Sequence, residues 1–280
     1  MPAMEITTII GCKMSCTYCP QDRFVKAYTK RSDCLKMSFD TFKTYLDKIP
    51  LYVDIIFSGM SEPWLNPDCT KMLLYAHNRG HKIIADTTLV GMNLSDIDML
   101  ATIPFRHFVV HLPSVEGYEK IEVNEGYLNL LDKIYKSNTK IRYHFYRKRV
   151  HPKIEPLIKK DIYRIHPYTR SGNVKIEGRP FRKKRRGVIG CERDLRWNIL
   201  LPNGDVILCS NDYGMQHILG NLNTSDYESL FRSEEFLKIE KSLRDESLDI
   251  LCRYCDMYAY NVSLFAKIYN PLYYRYKDVI

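Results

Sequence analysis

Over the first 170 residues or so, short β-branched runs alternate with helical stretches, and this alternation restricts the chain to βαβ units on a parallel sheet or barrel. The strands read as 4–10, 52–57, 81–86, 106–112 and 140–145. Helices read as 38–49 with Ser38 as N-cap, 67–78 with Pro67 in its first turn, 94–101, 126–136 and 151–160. Chemistry in such folds gathers at the C-terminal ends of the strands. The character changes after Gly172. Segments 197–201 and 205–209 flank Pro202-Asn203-Gly204, a turn signal that predicts a β-hairpin. Polar helices near 225–232 and 233–244 follow, then a Cys-rich turn and an aromatic C-terminal helix. The expected organisation is an α/β unit over 1–170 and a smaller α+β unit, hairpin plus helices, over 171–280. No internal repeat or low-complexity segment interrupts it.

At 280 residues and 45% hydrophobic, the chain can build one substantial core and a small appended module. It has no apolar run of about 18 residues, so no membrane-spanning helix is expected. The N-terminus lacks a basic segment and a small-residue cleavage site, which predicts a cytoplasmic protein. Asn261-Val262-Ser263 matches a glycosylation sequon that such a location leaves without meaning. Nine cysteines in a reducing compartment point to metal or redox chemistry rather than disulfides. The net charge of +9 suits an anionic partner or substrate without choosing among them. Its densest runs, Arg182–Arg186 and Arg147–Arg149, read as solvated loop, with contact to a substrate phosphate as the sharper alternative.

Directly after the first strand comes Gly11-Cys12-Lys13-Met14-Ser15-Cys16-Thr17-Tyr18-Cys19-Pro20. Three thiolates on one loop can hold three irons of a four-iron cluster and leave the fourth open. Zinc tolerates similar spacing, but a structural zinc site wants four ligands and this loop offers three. The spacing, with Tyr18 as the aromatic before the third cysteine, resembles the signature of the radical S-adenosylmethionine superfamily. That resemblance implies a cluster on Cys12, Cys16 and Cys19 whose open iron chelates S-adenosylmethionine, with Tyr18 beside its adenine.

Phe57-Ser58-Gly59-Met60-Ser61-Glu62-Pro63 is similar to the family's Gly-Gly-Glu-Pro segment. It implies cofactor contacts at Gly59, Ser61 and Glu62, the carboxylate accepting from the cofactor's ammonium group. Ser61 departs from the family glycine. Asp86-Thr87-Thr88-Leu89 stands in the place of Thr-Asn-Gly, which implies a cofactor contact from Thr87 or Thr88. Val110-His111-Leu112-Pro113-Ser114 stands where the family has Ser-Leu-Asp-Gly, so His111 is a candidate facing the active site. The plain alternative is a histidine hydrogen-bonded at a strand end. His144 and Arg170 are further pocket candidates on strand-end logic.

Cys191, Cys209, Cys252 and Cys255 come from three separate loops, and on chemistry alone an all-cysteine zinc site and an iron–sulfur cluster are equally good readings. The order Cys191, Trp197, Pro202-Asn203-Gly204-Asp205, Cys209-Ser210-Asn211-Asp212, Leu219-Gly220-Asn221-Leu222 and Cys252-Arg253-Tyr254-Cys255 resembles the SPASM and Twitch extensions of radical enzymes. Thr169-Arg170-Ser171-Gly172-Asn173 resembles the segment leading into them. Four cysteines fit the Twitch form, which implies one fully ligated auxiliary 4Fe-4S cluster. The fold so implied is a partial (β/α)6 radical-SAM barrel with a Twitch-like C-terminal domain. Cys34 and Cys69 remain as surface or core thiols.

The resemblance implies cleavage of S-adenosylmethionine to a 5′-deoxyadenosyl radical that takes a hydrogen atom from substrate. A cluster with no free iron suits electron transfer, so a two-electron oxidation is expected. The pattern is similar to that of the Twitch-type alcohol dehydrogenases of aminoglycoside biosynthesis, which act on 2-deoxy-scyllo-inosamine. The leading expectation is dehydrogenation of a hydroxyl-bearing carbon in a sugar-like or cyclitol-like metabolite, phosphorylated and nucleotide-linked forms included. An external electron donor such as flavodoxin or ferredoxin is implied. The alternative is a peptide- or protein-modifying maturase. The remotest is a zinc-stabilised nucleic-acid-binding protein, for which 21 Tyr and 11 Phe offer stacking surfaces. That reading leaves Glu62 and the three-cysteine loop without a purpose.

Overall fold

Apolar runs such as Asp54-Ile55-Ile56-Phe57, buried along their whole length, form the parallel strands that organise the first half of the chain. The computed structural model describes residues 1–137, 139–146 and 149–260, and their side chains as far as 257. The strands are β1 (Ala3–Ile6), β2 (Asp54–Phe57), β3 (Ile83–Thr87), β4 (His107–His111), β5 (Ile141–Tyr146) and β6 (Ile162–Ile165). They pair in sequence order and all in parallel. Between them run α1 (Gln21–Thr29), α2 (Phe39–Leu46), α3 (Cys69–Asn78), α4 (Leu94–Leu100) and α5 (Glu125–Lys136). This is the expected α/β partial barrel.

The second half adds β7 (Ile189–Cys191), β8 (Trp197–Leu200), β9 (Asp205–Ile207), β10 (Ile218–Asn221), α6 (Glu234–Ser242) and β11 (Tyr258–Tyr260). Strands β8 and β9 are the expected hairpin. Its turn closes through Gly204 N–H to the Leu201 carbonyl at 2.9 Å, and Gly204 has a φ of +87°. The hairpin does not stand apart from the barrel. Strand β8 pairs in parallel with β1, Ala3 opposite Trp197 and Ile6 opposite Leu200, so one nine-stranded sheet runs β10-β9-β8-β1-β2-β3-β4-β5-β6.

Alternation along the strands sorts the two faces. Met4, Ile6, Ile55, Phe57, Ile83 and Ala85 enter the main core with residues of α2 to α5, such as Phe42, Leu73, Ile97 and Leu131. The opposite face carries Ala3, Ile56 and Ile84, which meet Trp197, and then polar side chains toward the strand ends. Helix α1 closes this second face near β8 and β9, with Phe24 and Tyr28 against Ile199, Leu201 and Ile207.

Several elements differ from the sequence reading. Residues 151–160 form turns rather than a helix, because Pro156 has no N–H to donate and its ring crowds the preceding turn. Helix α3 starts at Cys69, two residues after Pro67, because the Asn66 side chain accepts from Asp68 N–H at 3.0 Å and delays it. Residues 225–232 give only a short 3₁₀ turn, Glu228–Arg232. Helix α1 and strands β6, β7, β10 and β11 were not expected. The buried triplet Gln21, Phe24 and Tyr28 was the missed signal for α1. Arg147, Lys148, the Asn261 sequon and the expected C-terminal helix lie outside the described residues. Among those described, no helix is long and apolar enough to cross a membrane.

Asn66 ties the site-bearing loops together and is fully buried. Its Nδ2 donates to the carbonyls of Thr8 (3.0 Å) and Met37 (2.8 Å). Asn66→Ala takes this donor from both carbonyls, although the Thr8 carbonyl keeps Met37 N–H at 2.9 Å, an expected loss of about 1–3 kcal/mol. It should read out as a lower urea midpoint with an unchanged m-value.

Candidate active site

The cysteine loop after β1 is fixed through its backbone. Ile10 N–H donates to the Leu35 carbonyl at 2.7 Å and Cys19 N–H to the Cys16 carbonyl at 3.0 Å. Thr17 N–H to Tyr118 O and Lys120 N–H to Met14 O, at 3.0 and 2.9 Å, hold the loop against segment 118–120. Cys12, Cys16 and Cys19 thereby line one cavity together with residues from the ends of β2, β3, β4 and β5. Burial pushes all three thiols up, Cys16 to about 12. The Cys19 sulfur lies 3.6 Å from Gln21 Oε1, to which its S–H can donate, and 3.7 Å from the Tyr213 hydroxyl, which can donate to it. Thiols so placed keep their protons at neutral pH until a metal displaces them.

Glu62 is the polar hub of the cavity. It is buried and receives Thr87 Oγ1 at 2.6 Å, Thr88 N–H and Thr88 Oγ1 both at 2.7 Å, and Trp64 N–H at 3.4 Å. Burial raises its carboxyl above the usual range against the pull of these donors. The hydroxyls of Thr87 and Thr88 thus address Glu62, joining the ends of β2 and β3. Gly59 has a φ of +72°, and a Cβ there would lie 2.4 Å from Thr7 Oγ1, so a larger residue could not let the two loops approach. Ser61, in place of glycine, donates to the Ile9 carbonyl at 2.5 Å. Tyr18 packs its ring 4.1 Å from that of Tyr146 and donates to Glu119 at 3.0 Å.

His111 and Arg170 both line this cavity; His144, the register partner of His111 on β5, does not, though their ring centroids are 5.6 Å apart. Burial holds His111 neutral, its pKa lowered to about 3 with His144 and Arg170 adding to the shift, and its Nδ1 has no hydrogen-bond partner among the described residues. Arg170 has a φ of +52° and lies over the Tyr168 ring at 4.3 Å. Its segment is clamped from both sides. Thr169 donates through N–H and Oγ1 to the Asp256 carboxylate, and Asn173 Nδ2 donates to Asn211 O at 2.9 Å.

Sequence reasoning missed Glu5, Asp86, Arg193 and Tyr213 on the same cavity wall. The signal for Glu5 and Asp86 was an acid inside an otherwise apolar strand, which has to face a polar space. Glu5 lies 3.5 Å from Arg193, and burial raises its carboxyl. Burial raises Asp86 to about 7, with Glu5 adding to the shift and Arg193 opposing it.

Cys191, Cys209, Cys252 and Cys255 line a second cavity with Ser171, Trp197 and Asn211. Among the described residues no three acid, histidine or cysteine side chains converge as ligands of a single ion would. The four thiols line this one space, and cysteine donors of this kind suit an iron–sulfur cluster. Burial raises Cys209, Cys252 and Cys255. Met257 N–H points at Cys255 Sγ from 3.3 Å, the kind of N–H to sulfur contact that tunes such clusters. Arg253, fully buried inside the Cys252–Cys255 turn, donates to the carbonyls of Arg185, Gly187 and Ser242. Arg193 lines both cavities and stacks 4.1 Å over Trp197. Cys34 is exposed and Cys69 buried in the main core, apart from both sites.

Residues 191–256 match the SPASM family model, an iron–sulfur cluster-binding domain. No curated protein matches the chain by sequence. Among solved structures it is similar to BtrN in complex with AdoMet and 2-DOIA, at 15% identity and a TM-score of 0.63, over 91% of this chain and 93% of that one. It is similar to anSMEcpe with bound AdoMet at 12% identity and a TM-score of 0.60, over 91% and 86%. Streptococcus suis SuiB bound to precursor peptide SuiA aligns at 14% identity with a TM-score of 0.59, over 85% and 66%. The chain therefore shares the fold of these solved structures, and its residues 191–256 match the SPASM iron–sulfur cluster-binding domain.

Proposed function

We propose that this protein is a radical S-adenosylmethionine oxidoreductase that dehydrogenates a hydroxyl-bearing carbon of a sugar-like or cyclitol-like metabolite. The observation carrying the reading is the shared wall. The three-cysteine loop and Glu62 face one cavity, the four-cysteine ring lies behind it, and Arg193 borders both. Cys12, Cys16 and Cys19 would hold one 4Fe-4S cluster, and Cys191, Cys209, Cys252 and Cys255 a second. When bound, the first cluster with its cofactor supplies a 5′-deoxyadenosyl radical, and the second supplies an acceptor for the electron left on substrate.

The chain's own residues do the rest. Glu62 offers a buried carboxylate to the cofactor's ammonium group, held in place by Thr87 and Thr88. Glu5, Arg193, Arg170 and Tyr168 give the cavity hydrogen-bonding walls suited to a polyhydroxylated ring. Residues 1–170 would then be the catalytic unit and 171–280 the auxiliary one. Cytoplasmic reducing power, delivered by a flavodoxin or ferredoxin, completes the scheme. A second reading, peptide or protein maturation, is favoured by the fold shared with SuiB bound to precursor peptide SuiA.

Protein purified and reconstituted without oxygen should carry about eight irons per chain, falling to about four when Cys12, Cys16 and Cys19 become alanine. About four irons with one zinc would leave the second centre structural and remove the electron acceptor that the oxidation needs. Glu62→Gln should weaken S-adenosylmethionine binding about 10- to 100-fold in equilibrium dialysis, the loss of a hydrogen bond to a charged group. Polyhydroxylated ring compounds should elicit substrate-dependent 5′-deoxyadenosine. If only peptides do so, the maturase reading replaces this one.

A further inference from the structure

Asp86 ends the inward-facing row of β3 and has no role in cofactor binding as described above. Along this strand Ile83 and Ala85 enter the helix-side core, while Ile84 faces the other way with Ala3 and Ile56. Asp86, two residues on, shares the direction of Ile84 and reaches the central cavity. Thr87 turns back to Glu62. The cavity side of β3 therefore presents one carboxyl, and it accepts no hydrogen bond among the described residues.

Its surroundings set its basicity. Glu5 from β1 and Glu62 from the turn after β2 disfavour a charge on Asp86, and Arg193 from the loop before β8 favours one. His111 at the end of β4 lines the same cavity. Burial outweighs them all and brings the carboxyl to about 7, where a general base works best near neutral pH. The other groups on the wall are poorer bases. His111 is lowered to about 3. Glu5 is engaged by Arg193. Arg170 is a donor only.

We propose that Asp86 is the general base of the oxidation, taking the hydroxyl proton as the substrate CH–OH becomes C=O. The inference rests on the oxidation reading above. That conversion removes a hydrogen atom, a proton and an electron. The C–H bond breaks homolytically and its hydrogen atom goes to the 5′-deoxyadenosyl radical, giving 5′-deoxyadenosine. The O–H bond breaks with its electron pair left on oxygen and its proton on Asp86. One electron then leaves for the auxiliary iron–sulfur centre as the second C–O bond forms.

The test compares wild type, Asp86→Asn and Asp86→Glu as reconstituted proteins, with the hydroxylated compound that best elicits 5′-deoxyadenosine. In wild type, log kcat should rise with pH and level off above about 7, since the base acts only when deprotonated. Asp86→Asn should lose about 10²- to 10⁴-fold in kcat, and Asp86→Glu should recover part of it. Substrate affinity by calorimetry should change little. Difference infrared spectroscopy without substrate should show a carboxyl band titrating near neutrality that Asp86→Asn lacks. An Asp86→Asn variant that keeps kcat but loses affinity makes Asp86 a substrate anchor and overturns the proposal. So does a carboxyl ionised throughout the mildly acidic range. If wild type oxidises no hydroxylated compound, the oxidation reading itself falls and takes the base with it. A wild type that oxidises beside an equally active Asp86→Asn removes the base alone.

Discussion

Strand β1 is held on both sides by parallel partners, with Ala3 opposite Asp54 of β2 and opposite Trp197 of β8. This double pairing makes one sheet of the two halves of the chain. Through it the loop before β8 reaches the barrel cavity, where Arg193 meets Glu5. A slip of one residue in either pairing would turn Glu5 into the apolar core and Met4 into the cavity. Burying that carboxylate among Ile55, Phe57 and Phe42 would cost far more than any alternative register could return. The hydrophobic alternation of β1 thus fixes the relation between the three-cysteine loop and the four-cysteine ring.

The cavity is built against the general preference for apolar interiors. Glu5, Glu62, Asp86, Arg170 and Arg193 all face it, at a desolvation cost that ordinary folding would avoid. Most of these groups are matched. Glu62 has four donors, Glu5 has Arg193, and Arg170 has Tyr168. Matched groups rigidify the walls, because each buried polar atom left without its partner is penalised. Asp86 accepts no hydrogen bond among the described residues, and burial with Glu5 raises its carboxyl against the pull of Arg193.

Strong local signals made parts of the molecule legible in advance. Ser38 caps α2 through Thr41 N–H as its position implied. Gly204 turns the β8–β9 hairpin, and the C-x3-C-x2-C spacing sets three thiols on one loop. The 151–160 segment misled because its apolar spacing is helical while Pro156 forbids the hydrogen bonds. Helix α1 was hidden because Pro20 gives it no side-chain cap, so its start carries no polar marker.

The sequence by itself carried the local patterns, the alternation of β-branched and helical runs, the three-cysteine loop of residues 12–19 and the Ser61-Glu62-Pro63 turn, because each is written in a short stretch of consecutive residues. Only the tertiary structure decided what these groups meet. Thr87 and Thr88 belong to Glu62 across two strands, and His144 is the register partner of His111 on the neighbouring strand, yet only His111 lines the cavity. Arg193 spans two sites whose cysteines lie far apart in the chain. No local pattern encodes such meetings. They follow from strand register and sheet order, which depend on the pairing of distant segments around a shared core.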